Sequence, residues 1–374
     1  MRILVLTADL PPYSWSGIGV AVAHQTQAIA SLCCDVDILT TAPPTNIPGV
    51  RVYPLPRDRF PDLPAPDYIH LHSLALGELA LQLRLRLTVP LLYTAHSLLQ
   101  RELHEVAAAR PWQRRQRRIF EAADHTFFLT STEREQAIAD SPQLARRSSV
   151  LPNGLPPSAA SPCIEDRLEY NEERMEFPLV LYAGRFARSK GTDIAIATMS
   201  AVLDTFPDLH CALVGGHDAD NAFGALIAEL VVRHPDRVAT PGWLRAADLE
   251  RLLRRTPLLL MPSRYEPFGM IALEAMRMGT PVLGADIDSL RELLRPGSGG
   301  VPVASHHVDE WVAATNDLLL DGPRFRSLSA AGPLFVDRHY NIADQAKRLL
   351  AQLQRAFPHS GTRPLSSLEC AHVA

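Results

Sequence analysis

Short apolar runs alternate along this chain with longer stretches of helical spacing. In the first half the runs are "RILVLT", "VDILT", "YIHLHS", "PLLYTAH", "HTFFLTS" and "SVLPNG". Between them lie a helix predicted from about Gly17 to Leu32, another through "LALGELALQLRLRL", and a long one ending near Ala122. A polar, aperiodic interval follows, "PPSAASPCIEDRLEYNEERMEF", whose Pro and Ser content suits an exposed boundary. The alternation then restarts with "LVLYAGR", "LHCALVGG", "RVATPGW", "PLLLMPS", "TPVLGAD" and "GGVPV". Strand and helix taking turns in this way predict two doubly wound parallel sheets, one in each half of an α/β chain. "NIADQAKRLLAQLQRAF" reads as an amphipathic helix, and structural signal is low from Pro358 onward.

The most pointed chemistry lies in "MPSRYEPFGMIALEAMRMGTPVLGAD". Leu258–Met261 is a short apolar run between prolines, as a central parallel strand requires. Apolar residues at Ile271, Ala272, Ala275, Met276 and Met278 then recur at helical spacing from about Phe268 until Gly279. Glu266 is thereby placed in the strand-to-helix loop and Glu274 about two turns along the helix. Such loops are where parallel sheets bind ligands, and two sheets of this kind predict a cleft between their domains.

In "LVLYAGRFARSKGTD", Arg185 ends a strand and Lys190 precedes Gly191 and a new helix. Two cations at such a junction suit a diphosphate, the arginine as a fork and the lysine as a point charge. A solvated pair is the alternative, but lysine is scarce: Lys190 and Lys347 stand against 35 arginines. The loop "WSGIGVAVA" places Gly17 and Gly19 before a helix N-terminus, where the backbone either approaches an anion or makes an ordinary turn. It is a poor dinucleotide fingerprint, because Val22 holds the third glycine position and "ILTTAPP" has no acid for a ribose.

His70 and His72 share one strand face and read as structural, whereas His96 follows "LLYTA" and opens a loop toward the expected cleft, as a polar contact to substrate. Three DxD strings occur, Asp35/Asp37, Asp218/Asp220 and Asp286/Asp288, but none is joined by a histidine or third carboxylate, so no metal is expected. The arginines of "ARPWQRRQRRIF", with Trp112 and Phe120, fit either an acidic lipid surface or, more simply, the wet face of a packed helix.

Composition narrows the field. A chain of 374 residues, 47% hydrophobic, has material for two cores. A formal charge of -4 excludes a general nucleic-acid binder. The N-terminal apolar run is too short for a signal peptide, no run reaches membrane-spanning length, and five cysteines form no metal-ligand spacing, so a cytosolic protein with reduced thiols is expected.

With these residues in view, the chain resembles a retaining glycosyltransferase of the GT-B fold, from family four, the glycosyl transferases group 1. The resemblance runs from "SGIG" through "HLH", "TAHS", "STERE", "LPNG", "AGRFARSKG" and "LVGG" to "EPFGMIALEAMRMGTPV", where Glu266 and Glu274 reproduce the E-x7-E signature. It implies two Rossmann-like domains facing an interdomain cleft. Residues 1–157, joined by the helix 341–357, would form the acceptor side, and residues 175–338 the donor side. Arg185 and Lys190 would neutralise the diphosphate of a UDP- or GDP-type sugar. Glu274 would bond the ribose, and the backbone at Phe268, Gly269 and Met270 would meet sugar and phosphates. Glu266 would hold the transferred sugar, His96 would reach it near the reacting face, and Gly17 and Gly19 would form the glycine loop. No metal and no cofactor are implied, since fixed positive groups do the neutralising. The acceptor hydroxyl would belong to a small molecule, a lipid or a glycan.

Three departures touch the sugar and acceptor sides: Ser16 where a glycine is common, Ser97 where an aspartate is, and "ADIDSLREL" without the usual Gly-Gly. Competing readings are a GT-B epimerase or hydrolase that shares the donor site, and a non-catalytic nucleotide-sugar-binding protein. The intact Arg185, Lys190 and Glu266 count against the latter.

Overall fold

The computed structural model describes residues 1–11, 17–43, 45–55, 63–102, 110–157, 178–216 and 222–358. Most of the expected linker, Ser16, and the pair Asp218/Asp220 lie outside the described residues. The chain divides into two compact units, Met1–Pro156 with Tyr340–Ala374, and Pro157–His339.

The first unit is built on strands β1 (Arg2–Thr7), β2 (Asp35–Thr40), β3 (Val50–Pro54), β4 (Tyr68–Leu71), β5 (Leu91–Ala95), β6 (His125–Phe128) and β7 (Ser148–Val150). They pair in the order β3-β2-β1-β4-β5-β6-β7, every neighbour parallel, with Ile3 between Val36 and Tyr68. Parallel neighbours need crossovers, and the helices Gly17–Ala30, Gly77–Leu87, Arg110–Ala122 and Ser131–Asp140 supply four of them. The last starts where Thr130 Oγ1 accepts the Glu133 N–H at 3.2 Å, which explains the "TSTE" spacing. Sequence patterning passed over β3, because only edge strands tolerate its mix of exposed and half-buried positions.

Helices cover both faces of this sheet. On one, Leu6, Leu71, Tyr93 and Phe128 pack with Leu83 and Ile119; on the other, Ile3, Val5, Val36 and Phe127 pack with Val22 and Ile29. That second face also takes Leu349, Leu350 and Leu353 of the helix Ile342–Ala356, all buried. The tail rejoins the unit just past β7, where Leu155 N–H donates to Tyr340 O at 2.8 Å and Ile342 N–H to Leu155 O at 2.9 Å. A Cβ on Gly154 would stand 2.8 Å from the Tyr340 oxygen, so a side chain there would hold the tail off.

The second unit carries β8 (Leu179–Ala183), β9 (His210–Val214), β10 (Val238–Gly242), β11 (Leu258–Met261), β12 (Val282–Ala285) and β13 (Gly300–Val303). Their order is β10-β9-β8-β11-β12-β13, again parallel throughout. Val180, Leu213, Leu260 and Leu283 meet Ile194, Met199 and Val202, and Trp311 is fully buried with its indole N–H on Ser305 O at 2.8 Å. In each sheet the strand order reverses once, between β1 and β4 and between β8 and β11. The loops leaving those strands stand side by side at the carboxyl end, the usual ligand position of a parallel sheet.

The arginine-rich helix Arg110–Ala122 buries Gln116, Ile119 and Phe120 and leaves Arg114, Arg117, Arg118 and Trp112 exposed. Arg118 pairs with Glu78 at 2.6 Å and Arg115 lies over the Trp112 ring. No helix among the described residues is long and apolar enough to cross a membrane.

Leu349→Ala removes a fully buried anchor of the tail helix and is expected to destabilise the first unit by about 2–5 kcal/mol. The same change at the exposed Leu334 serves as control. Equal urea midpoints for the two variants would show that the tail does not complete the first core.

Candidate active site

In the second unit the loops after β8 and β11 are tied together. Past β8, the buried Tyr182 hydroxyl lies 2.9 Å from the Arg185 carbonyl and 2.8 Å from Thr192 Oγ1, while Ala187 N–H donates to Thr192 Oγ1 at 3.0 Å. Gly191, at φ 67°, turns the chain from the short 3-10 turn Arg188–Lys190 into the helix Thr192–Thr205. A Cβ there would sit 1.9 Å from the Pro262 oxygen, so only glycine lets the loops close.

Across that contact, the N–H groups of Arg264 and Tyr265 both donate to Ser189 O, at 2.8 and 3.0 Å. The Arg264 guanidinium forks onto Asp193 at 2.7 and 2.8 Å and also donates to Arg188 O at 2.9 Å. Burial pushes the Asp193 carboxyl up, but hydrogen bonds from Arg264 and from the helix N-terminus leave it below its ordinary value. Ser289 Oγ donates to the Glu266 carbonyl. These ties bring Lys190 Nζ to 2.9 Å from Glu266 Oε2, with side chains only 18% and 13% exposed.

Two loops that sequence patterning treated separately therefore present one charge pair at the β8/β11 reversal. Desolvated to this degree, neither ion is easily lost without leaving the other unpaired.

Gly269, at φ 96°, caps the helix Met270–Arg277, and a Cβ on it would press to 2.9 Å from Leu290. The helix starts at Met270 rather than near Phe268, so Glu274 stands about one turn in, not two. Phe268 is buried behind the loop. The half-buried Glu274 carboxyl is pushed up to about 7 by burial, with Glu250 adding to the rise and Arg277 opposing it.

In the first unit the carboxyl ends of β1, β4 and β5 gather polar groups. Ser73 Oγ donates to Asp9 at 3.2 Å and lies 3.1 Å from Thr7 Oγ1. His96 is 9% exposed rather than open in a loop, and its Nε2 lies 3.0 Å from Nδ1 of His72. His70 Nε2 lies 2.7 Å from Thr94 Oγ1. Burial drives the imidazoles of His70 and His96 down to about 3 and about 4, and that of His72 well below its ordinary value. All three are neutral at pH 7.

Gly17 begins the helix Gly17–Ala30, and Gly19, buried, lies within its first turn. Both are therefore helical rather than part of the loop. Asp35 and Asp37 are engaged by Arg2 and Arg51, and Asp286 and Asp288 by Arg291. Among the described residues no group of three or more His, Cys, Asp or Glu is arranged to hold a metal ion.

Sequence reasoning missed His72 as a partner of His96, and it missed Arg264, Asp193 and Ser289. Only the "HLH" alternation hinted at the first; the others were ordinary polar residues until their partners across the sheet were placed.

Two family descriptions match consecutive parts of the chain: "Glycosyl transferase 4-like domain" over residues 16–154 and "Glycosyl transferases group 1" over residues 165–334. D-inositol 3-phosphate glycosyltransferase of Acidothermus cellulolyticus is 29% identical over 358 residues, spanning 82% of this chain and 79% of that protein. Sucrose-phosphate synthase from Thermosynechococcus elongatus superimposes with a TM-score of 0.77 at 24% identity, covering 95% of this chain and 99% of that one. HepE of Anabaena in complex with UDP-glucose gives 0.76 at 17% identity, covering 95% and 100%.

Glu274 supplies a pH test that needs no substrate. Its folded pKa, about 7, lies above the ordinary carboxylate value, so the folded state holds this proton longer than the unfolded chain. Stability from this group is therefore full below the unfolded pKa and falls as pH rises through about 7. Glu274→Gln is expected to match wild type in melting temperature at pH 4 and exceed it at pH 8; an equal gap at both pH values would show that Glu274 titrates normally.

Proposed function

The chain belongs to the glycosyl transferases group 1 family and has the GT-B fold of a glycosyltransferase, and on that premise we propose that it moves a sugar from a UDP- or GDP-linked donor to an acceptor hydroxyl with retention of anomeric configuration and without a metal. The observation that carries this reading is the Lys190–Glu266 pair at the β8/β11 reversal. Paired at this distance, the two charges neutralise one another. A donor diphosphate competes for the ammonium, and as Lys190 turns to the phosphate, Glu266 is released toward the sugar hydroxyls. One event thus assembles both halves of the donor contact.

Arg185, two residues past the end of β8, takes phosphate oxygens as a fork. The Gly269–Met270 helix start offers unpaired N–H groups to the same anion, with Phe268 fixing the loop behind. Glu274 accepts from the ribose hydroxyls in its ionised form. As the C1–O bond to phosphate breaks, its electron pair goes to the diphosphate, where Lys190 and Arg185 stabilise it. The acceptor oxygen bonds C1 from the same face and passes its proton to the departing phosphate oxygen. The first unit serves the acceptor, with His96 reaching the sugar and the Gly17/Gly19 helix start facing the substrates. The D-inositol 3-phosphate glycosyltransferase relative supports a small polar acceptor.

Lys190→Ala and Arg185→Ala are each expected to cost about 2–4 kcal/mol of barrier, because both cations act where charge develops. UDP- and GDP-sugars screened by thermal shift identify the donor for these assays. Near-wild-type turnover in both variants would remove the proposed diphosphate site. Turnover is also expected to be unaffected by EDTA, and its abolition with restoration by magnesium would refute metal independence.

The two glutamates are expected to fail differently. Glu274→Gln raises chiefly donor KM, since the ribose is unchanged during reaction, while Glu266→Gln lowers chiefly kcat, since the sugar gains positive character in the transition state. A pure KM effect at Glu266 would show the carboxylate misassigned.

A further inference from the structure

Three of the buried histidines of the first unit, His70, His72 and His96, leave two ring nitrogens without partners, and this decides where their protons sit. Nδ1 of His70 and Nε2 of His72 are both buried and bond to nothing. A buried N–H with no acceptor is the rarer and costlier orphan, so both of these nitrogens are the bare ones. A neutral imidazole carries one proton, which puts it on the opposite nitrogen of each ring. His70 therefore donates from Nε2 to Thr94 Oγ1 at 2.7 Å, and His72 donates from Nδ1 to His96 Nε2 at 3.0 Å. His96 accepts at Nε2, and its own proton is forced onto Nδ1. That atom has no hydrogen bond to the protein among the described residues and is not among the buried orphans, so it is the edge of the ring that solvent or substrate reaches.

We propose that His72 is a positioning residue that locks His96 in its Nδ1–H tautomer, so that His96 meets the substrate as a hydrogen-bond donor to a hydroxyl oxygen and not as a base. This rests on the reading of His96 as a substrate contact. The lock is geometric: β4 and β5 are neighbours in the sheet, His72 and His96 each directly follow the strand, and the parallel register Leu71 to Tyr93 brings the two side chains off the same end. The tilted stacking of His70 on His72, with ring centroids 4.1 Å apart, restrains the His72 ring against rotation. Ser97, next in the chain, is no carboxylate, so nothing in that position would draw the proton of His96 to a different arrangement.

The test is the nitrogen spectrum of the full-length protein labelled with 15N-histidine at pH 7, with the His96 signals assigned by their loss in His96→Gln. The expected result is a protonated Nδ1 and a bare Nε2 for His96, and the reverse order for His70. A His96 proton on Nε2, or two averaged nitrogens, overturns the proposal. The spectrum needs no substrate, so it decides the proposal even where UDP-glucose proves the wrong donor.

In the second arm, His72→Leu is expected to release the lock, averaging the His96 nitrogens and lowering kcat for UDP release from UDP-glucose by about tenfold with donor KM little changed. His72→Asn, whose amide nitrogen stands near the lost Nδ1–H, restores both. A His96 tautomer unchanged in His72→Leu, or a loss in kcat that His72→Asn does not recover, overturns the assignment of His72.

Discussion

Parallel hydrogen-bonding is the constraint from which the rest follows. When every strand of a sheet runs one way, every loop that leaves a strand emerges at the same end, whatever its distance along the chain. In this protein the rule operates twice. It brings the residues after β1, β4 and β5 together in the first unit, and those after β8 and β11 in the second, although Lys190 and Glu266 are 76 positions apart. The order of each sheet reverses between its first strand and the strand that follows the outward excursion, and in the second unit the Lys190–Glu266 pair stands at that reversal.

Parallel pairing sets which loops are neighbours, but it does not set their separation to a tenth of a nanometre. That is done by small polar devices. Gly191 permits backbone contact with Pro262 that any Cβ would prevent. Arg264 ties the β11 loop to the β8 loop through Asp193, Arg188 and, by its own N–H, Ser189. The fork onto Asp193 is partly buried on both sides, so it acts as a rigid bracket more than as a surface ion pair. Lys190 and Glu266 are held by their surroundings, and their own attraction then needs to supply little ordering.

The two candidate sites handle charge differently. The second keeps ions, pairing Lys190 with Glu266 and lifting Glu274 toward neutrality through burial. The first keeps its histidines neutral by burying them, which leaves hydrogen-bond direction, not charge, as the property a ligand meets.

Much of this was legible in the chain itself. Apolar runs bounded by turn residues marked twelve of the thirteen strands, because strands buried on both faces must be almost wholly apolar, and only the half-exposed edge β3 escaped. The spacing of Glu266 and Glu274 and the isolation of Lys190 singled out the second site, since charge next to a buried strand is costly and conspicuous. Sequence alone determined these element types and candidate side chains, because period and polarity are local properties. The tertiary structure alone decided that Lys190 meets Glu266, that Arg264 meets Asp193, and that His72 is bonded to His96. Those are pairings between loops distant in sequence. Their partners are chosen by strand order and by close backbone approach, and neither leaves a periodic trace in the residues themselves.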